Sequence, residues 1–144
     1  MKEKFIRAYM QTAQTFAELS HARRLKVGCI IVKDDRIISI GYNGMPAGWD
    51  NNCEDEFLHE DGSITTRTKA EVLHAESNAI AKLAKSNESG DGASLFVTHS
   101  PCIECAKLIY QAGIKEVIYD QVYRDDKGIA FLKDSQIKIL SIND

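Results

Sequence analysis

The chain has no surplus of positive charge: 18 lysines and arginines stand against 21 aspartates and glutamates, giving a formal net charge of −3 and a pI near 5.8. A binder of DNA or folded RNA needs a basic stripe to neutralise phosphates, so no nucleic-acid partner is expected and a small substrate is favoured. No run of ~18 uninterrupted apolar residues occurs, so no membrane partner or membrane-spanning helix is expected, and Met1 to Phe5 carries no apolar stretch of signal-peptide length. Cysteine is scarce. Of the four, only Cys102 and Cys105 lie close together, unlike the dense framework of a small secreted domain, and 144 residues bury enough surface to fold without disulfides. A reducing, cytoplasmic setting is the expectation. Neither a repeat nor a low-complexity segment interrupts the chain.

What is present, 44% hydrophobic and 27% charged residues, has the balance of one soluble domain over residues 1–144. Phe5, Ala8, Tyr9, Thr12, Phe16 and Leu19 recur at three and four, which predicts an amphipathic helix from Lys4 to Leu19. Val27 to Val32 reads as a buried strand, Asp34-Asp35 as a tight turn, and Arg36 to Tyr42 as the returning strand. The polar, glycine-containing stretch at about 43–70 predicts a long loop of the functional kind rather than a domain linker. Beyond it, Ala75, Ala79, Ile80 and Leu83 place an apolar stripe on a second helix. A strand at Ala93 to Thr98, a helix at Cys102 to Ala112, a strand at Glu116 to Tyr119, a short helix at Gly128 to Lys133 and a last strand at Gln136 to Leu140 follow. This order, αββ then three αβ units, predicts the α/β class: a three-layer α/β/α sandwich around a five-stranded mixed sheet.

Three residues carry metal chemistry. His74 stands at one predicted helix start, and Cys102 and Cys105, in Ser100-Pro101-Cys102-Ile103-Glu104-Cys105, stand at another. A Cys-x-x-Cys pair presents both sulfurs one turn apart, and two thiolates with one imidazole leave a fourth zinc position open, which is the mark of a catalytic rather than a structural site. The charges of Zn²⁺ and two thiolates cancel, and free N–H groups at helix starts stabilise the anions. Glu76, two residues past His74, is positioned to reach a metal-bound water rather than the metal. Taken singly, His-x-Glu falls on helix faces by chance, and Cys-x-x-Cys serves redox chemistry or half a structural site. Together with Pro101 they form the His-x-Glu and Pro-Cys-x-x-Cys signature of zinc deaminases.

Further segments sharpen this: Val27-Gly28-Cys29-Ile30-Ile31-Val32, Gly41-Tyr42-Asn43-Gly44-Met45-Pro46, His74-Ala75-Glu76-Ser77-Asn78-Ala79-Ile80, and the run from Cys102 to Lys115. With these the chain resembles the deoxycytidylate (dCMP) deaminase family of the cytidine deaminase superfamily, over most of its length. The resemblance implies a cytidine deaminase-like fold in which His74, Cys102 and Cys105 hold one Zn²⁺ per subunit. It makes Glu76 the general acid/base that moves a water proton to N3 of the cytosine during attack at C4, after which ammonia leaves. It implies conversion of dCMP to dUMP, feeding dTMP synthesis. The implied substrate contacts are Asn43, Ala75, Ser100, Pro101 and Tyr123, with Arg23, Arg24 and Lys26 as candidates for the 5′-phosphate. Many members are activated by dCTP with Mg²⁺ and inhibited by dTTP, which assigns Lys26, Gly41, Tyr42, Asn43 and Gly44 to an effector site. A homohexamer or other homo-oligomer is the implied assembly.

Each assignment has an ordinary counterpart. Arg23, Arg24 and Lys26 also read as a solvated positive face, and Tyr123 and Arg124 as plain loop residues. Some relatives carry a second, structural zinc, but Cys53 and His59 offer two ligands where more are needed, and His21 reads as a surface residue. Cys29 reads as core packing. Other functions remain in view: a tRNA adenosine deaminase, disfavoured by the acidic chain; a free cytosine or cytidine deaminase, which needs no phosphate site; and a non-catalytic zinc module, from which the role of Glu76 would separate the enzyme.

Overall fold

The central strand β1, Gly28–Lys33, is buried from Gly28 through Val32, as its unbroken run of Cys, Ile, Ile and Val requires of a strand covered on both faces. The computed structural model describes residues 1–144. β1 turns back through Asp34 and Asp35, at φ of 51° and 59°, into β2, Arg36–Tyr42. Left-handed backbone at both turn residues matches the twist of the paired strands. β5, Ser94–His99, lies antiparallel on the other side of β1. β6, Glu116–Gln121, and β7, Lys138–Ser141, continue parallel to β5, so the order is β2-β1-β5-β6-β7. The predicted class and the mixed five-stranded sheet are what the structure contains.

Strand alternation divides the core into two layers. Ile31, Leu95, Val97 and Val117 face helices α2 (Ala75–Ala84), α3 (Ile103–Gln111) and α4 (Lys127–Asp134). Ile30, Phe96 and Ile118 face α1, Glu3–Ala17, through Met10 and Ala13.

Three expectations are corrected. The first helix exists, but its inward face is Ile6, Tyr9, Met10, Ala13 and Ala17, whereas Phe5 and Leu19 are 46% and 53% exposed. Small residues decide the phase, because the helix packs so close to β1 that a Cβ on Gly28 would sit 1.9 Å from the Ala13 carbonyl oxygen. Hydropathy weights bulk and so favours the wrong stripe. The segment at 43–70 is not a continuous loop: β3, Glu54–Leu58, and β4, Ile64–Thr68, pair as a separate antiparallel hairpin closed near Gly62, at φ 86°. Most of its side chains are exposed on both faces, so no alternation marks it. Gln136, at φ 63°, follows α4 in a left-handed conformation and is not the start of β7, which begins at Lys138.

Gly41 on β2 meets the start of α2 at van der Waals limits: a Cβ there would lie 2.2 Å from the Ala75 carbonyl oxygen and 2.7 Å from the Ala79 nitrogen. Gly41→Ala is expected to cost about 1–3 kcal/mol by overpacking, read as a lowered urea midpoint. Gly44, with nothing within 4 Å of its added Cβ, is the control at which alanine leaves the midpoint near wild type.

Candidate zinc centre and substrate pocket

Two helix starts meet at one end of the sheet. His74 is the N-cap of α2 and Cys102 the N-cap of α3, both with extended backbone, and Cys105 lies in the first turn of α3. Each side chain therefore leaves its helix at the end where free N–H groups favour negative charge. The β5-to-α3 connection places Cys102 just past the carboxyl end of β5, the position at which open α/β sheets bind ligands.

His74 Nδ1 lies 3.5 Å from Cys102 Sγ and 3.3 Å from Cys105 Sγ, and all three ligand atoms lie within 4.8 Å of one another. Tetrahedral zinc, with bonds of ~2.0 Å to nitrogen and ~2.3 Å to sulfur, separates such ligands by ~3.6 Å. The residues fit the ion. Their charges fit as well. Hydrogen bonds from Cys105 and His74 hold the Cys102 thiol down to about 4. The Cys105 thiol is pushed up, because it donates to Cys102 and is buried beside Glu76. The hydrogen bond to Cys102 also raises His74. The two sulfurs thus compete for one negative charge, and a divalent cation held by them would resolve the competition by favouring both as thiolates.

Glu76, in the first turn of α2, is only 4% exposed. Burial pushes its carboxyl up to about 7, while its own backbone N–H and the nearby His74 pull the other way. It lines a cavity of about 410 Å³, together with His74, Ala75 and Cys102. That volume suits a small molecule rather than a macromolecule.

The structure sorts the remaining sequence candidates. Asn43, Arg24, Ala75, Ser100 and Tyr123 line this cavity, whereas Arg23, Pro101 and Lys26 do not. The Arg23 guanidinium is engaged by Glu54 and Glu56. Pro101 instead packs its carbonyl oxygen against α4, 2.0 Å from where a Cβ on Gly128 would be. The Ser100 hydroxyl accepts from the Tyr123 N–H at 2.8 Å and so ties the β6–α4 loop to the zinc-motif turn. The Asn43 side chain braces the α1–β1 connection, accepting from Val27 N–H and donating to the Leu25 carbonyl. Of the effector candidates, Tyr42, Asn43 and Gly44 border a second cavity of about 390 Å³ with His21 and Lys82, and Lys26 does not border it. Gly41 is buried beneath α2. Asn43 borders both cavities. Of the remaining histidine and cysteine, His59 bonds Thr65 on the exposed hairpin, and Cys53 is buried with its thiol toward the Asn51 carbonyl. Cys29 is fully buried in the core.

The sequence reading missed Glu54, His99 and Thr68 as pocket residues. Strand parity held the signal for His99: Leu95 and Val97 face α2 and α3, and His99 is next in that series. No signal marked Glu54, one acid in the run Glu54-Asp55-Glu56.

Residues 3–121 match the family model described as the cytidine and deoxycytidylate deaminase zinc-binding region. The chain belongs to the cytidine and deoxycytidylate deaminase family. Within this deaminase family it is 39% identical over 128 residues to human deoxycytidylate deaminase, covering 85% of this chain and 68% of that protein. It is 41% identical over 116 residues to ComE operon protein 2 of Bacillus subtilis (strain 168), covering 81% of this chain but 59% of that longer protein. Among solved structures, the dCMP deaminase of cyanophage S-TIM5 in complex with dCMP and dUMP aligns with a TM-score of 0.88 and 46% identity, over 98% of both chains. A deaminase/reductase from Thermotoga maritima, with a TM-score of 0.72 at 24% identity, shares the fold. No helix is long and apolar enough to cross a membrane.

Proposed function

We propose that this deaminase domain hydrolyses dCMP to dUMP and ammonia. The observation that carries the proposal is the buried carboxylate of Glu76 beside a His–Cys–Cys candidate ligand set bordering a small-molecule cavity, in a chain matched over 98% of its length by a dCMP deaminase. His74, Cys102 and Cys105 would hold Zn²⁺, which when bound acidifies a water and so supplies a nucleophile at neutral pH.

Glu76 does the proton work. Its carboxylate accepts a proton from the attacking water and passes it to N3 of the cytosine ring as oxygen bonds to C4. It then takes the second proton from that oxygen and gives it to the exocyclic nitrogen, the C4–N4 bond breaks, and ammonia departs. A carboxyl whose hold on a proton is strengthened by burial serves as base and acid in turn. Arg24 and Arg124 are the cations lining the cavity and form the best partners there for a 5′-phosphate. Tyr123, with the Arg124 guanidinium 5.6 Å from its ring centroid, supplies an aromatic wall.

The same reading places the enzyme in the cytoplasm, in the supply of dTMP, and in a homo-oligomer such as a hexamer. It also proposes regulation by dCTP with Mg²⁺ and by dTTP at the second cavity, with Tyr42, Asn43 and Gly44 in contact. Asn43, on the wall of both cavities, supports that coupling.

The test is ammonia release from dCMP, CMP, deoxycytidine and dCTP by protein of measured zinc content. The highest kcat/KM is expected for dCMP, and equal values for deoxycytidine would move the enzyme to nucleosides. A sigmoidal dCMP curve should become hyperbolic with dCTP and Mg²⁺. A hyperbolic curve moved by neither triphosphate rejects regulation.

A further inference from the structure

Two adjacent arginines, Arg23 and Arg24, meet opposite fates, and one buried carboxylate separates them. Glu54 opens β3 with its side chain only 1% exposed. Its Oε2 accepts from the backbone N–H of Arg23 at 2.9 Å and of Arg24 at 3.3 Å, and its Oε1 accepts from Arg23 Nε at 3.2 Å. These bonds and the cation hold the carboxyl below its usual range despite burial, so it is ionised. The Arg23 guanidinium is thereby drawn onto Glu54 and, at 3.0 Å, Glu56. Arg24 receives no carboxylate partner: its Nη1 donates to the Thr66 carbonyl of β4, a neutral acceptor, and the residue lines the same cavity as His74 and Cys102.

We propose that Glu54 is a positioning residue for nucleotide recognition. It binds the Arg23–Arg24 backbone to the β3–β4 hairpin and neutralises Arg23, so that Arg24 reaches the cavity with its charge uncompensated and ready for the phosphate of a nucleoside 5′-monophosphate. A carboxylate on the wall of an anion site looks contrary to that task. Its charge is met locally by Arg23 and two N–H dipoles, however, and what it presents to the ligand is the neighbouring guanidinium. Without it, both N–H groups lose their acceptor and the freed Arg23 competes for Glu56 and the hairpin carbonyls. Recognition of the phosphate is thus assembled from two elements far apart in sequence, the α1–β1 connection and the hairpin.

The inference rests on the proposed dCMP activity and is read as substrate preference. In zinc-loaded Glu54→Gln protein, the ratio of kcat/KM for dCMP to that for deoxycytidine is expected to fall about tenfold or more, chiefly through the KM for dCMP. Arg24→Gln, an exposed change that does not threaten folding, should lower the same ratio. The double variant should fall no further than the larger single effect, because the two act as one unit. Glu54→Asp keeps the charge but withdraws the oxygens by one methylene, and it reports the same ratio if the glutamine variant is too unstable to assay. Both substrates losing rate in equal proportion, an unmoved ratio, or additive effects would each overturn the proposal. Failure of the wild-type protein to turn over dCMP would instead refute the underlying reading.

Discussion

Glu76→Gln should lose about 10³- to 10⁴-fold in kcat while zinc stays at the wild-type stoichiometry. Glutamine matches glutamate in shape, so His74 one turn-start away and the packing of α2 against β2 are left in place. What disappears is the ability to take and return a proton, which every step of the proposed hydrolysis uses. Metal analysis and a dCMP turnover assay on the same sample decide the matter. Retained turnover sinks the role, and lost zinc shows that the residue supports the site rather than the chemistry.

The pH dependence separates catalysis from stability in this variant. The wild-type rate should fall on the acid side as Glu76 protonates. Bound metal moves that limb below the value of about 7 that burial alone produces, because a nearby cation favours the carboxylate. Stability runs the other way. A buried carboxyl with a raised pKa binds its proton more tightly folded than unfolded, so its ionisation weakens the fold as pH rises from about 4.5 through about 7. In chelator-stripped protein, Glu76→Gln should therefore be more stable than wild type at pH 8, with the gain shrinking toward pH 4. Urea unfolding at the two pH values measures it.

Cys105→Ala should empty the site. With one thiolate gone, a neutral imidazole and a single sulfur remain. Zinc content after dialysis against a chelator that leaves wild type loaded should drop close to zero, and turnover with it. Cys29→Ala is the matching control, since that sulfur is fully buried in the core and is not among the metal-ligand atoms. It should lose some stability through a small cavity but keep its metal. Zinc retained in the Cys105 variant at wild-type affinity would mean that the ion sits elsewhere. Acid should release zinc from wild type as well, because protons compete for the same imidazole and sulfurs.

Each half of the candidate zinc centre was legible in the sequence because its spacing is local, while the meeting of the two halves was left to the fold. Cys102 and Cys105 are one turn apart on one helix, and His74 and Glu76 flank the start of another, so spacing alone constrains where the atoms lie. The order of strands and helices was legible for a similar reason, since Val27 to Val32 and Ala93 to Thr98 announce buried strands without reference to their partners. The hairpin at Glu54–Leu58 and Ile64–Thr68 was not, because a solvent-bathed ribbon carries no hydrophobic alternation.

Sequence by itself determined the candidate metal site: one imidazole and two cysteines at two helix starts, with a carboxylate beside the imidazole, on an α/β frame. Tertiary structure alone decided which residues line the cavity around that site. Arg23 and Arg24 are equivalent in composition and neighbours in the chain. They become an ion-paired strut and a pocket cation only because Glu54, thirty positions on from Arg24, folds back to accept both backbone N–H groups. Contacts between residues distant in sequence depend on how a hairpin lies over a loop, and no periodicity or spacing within either segment records that approach.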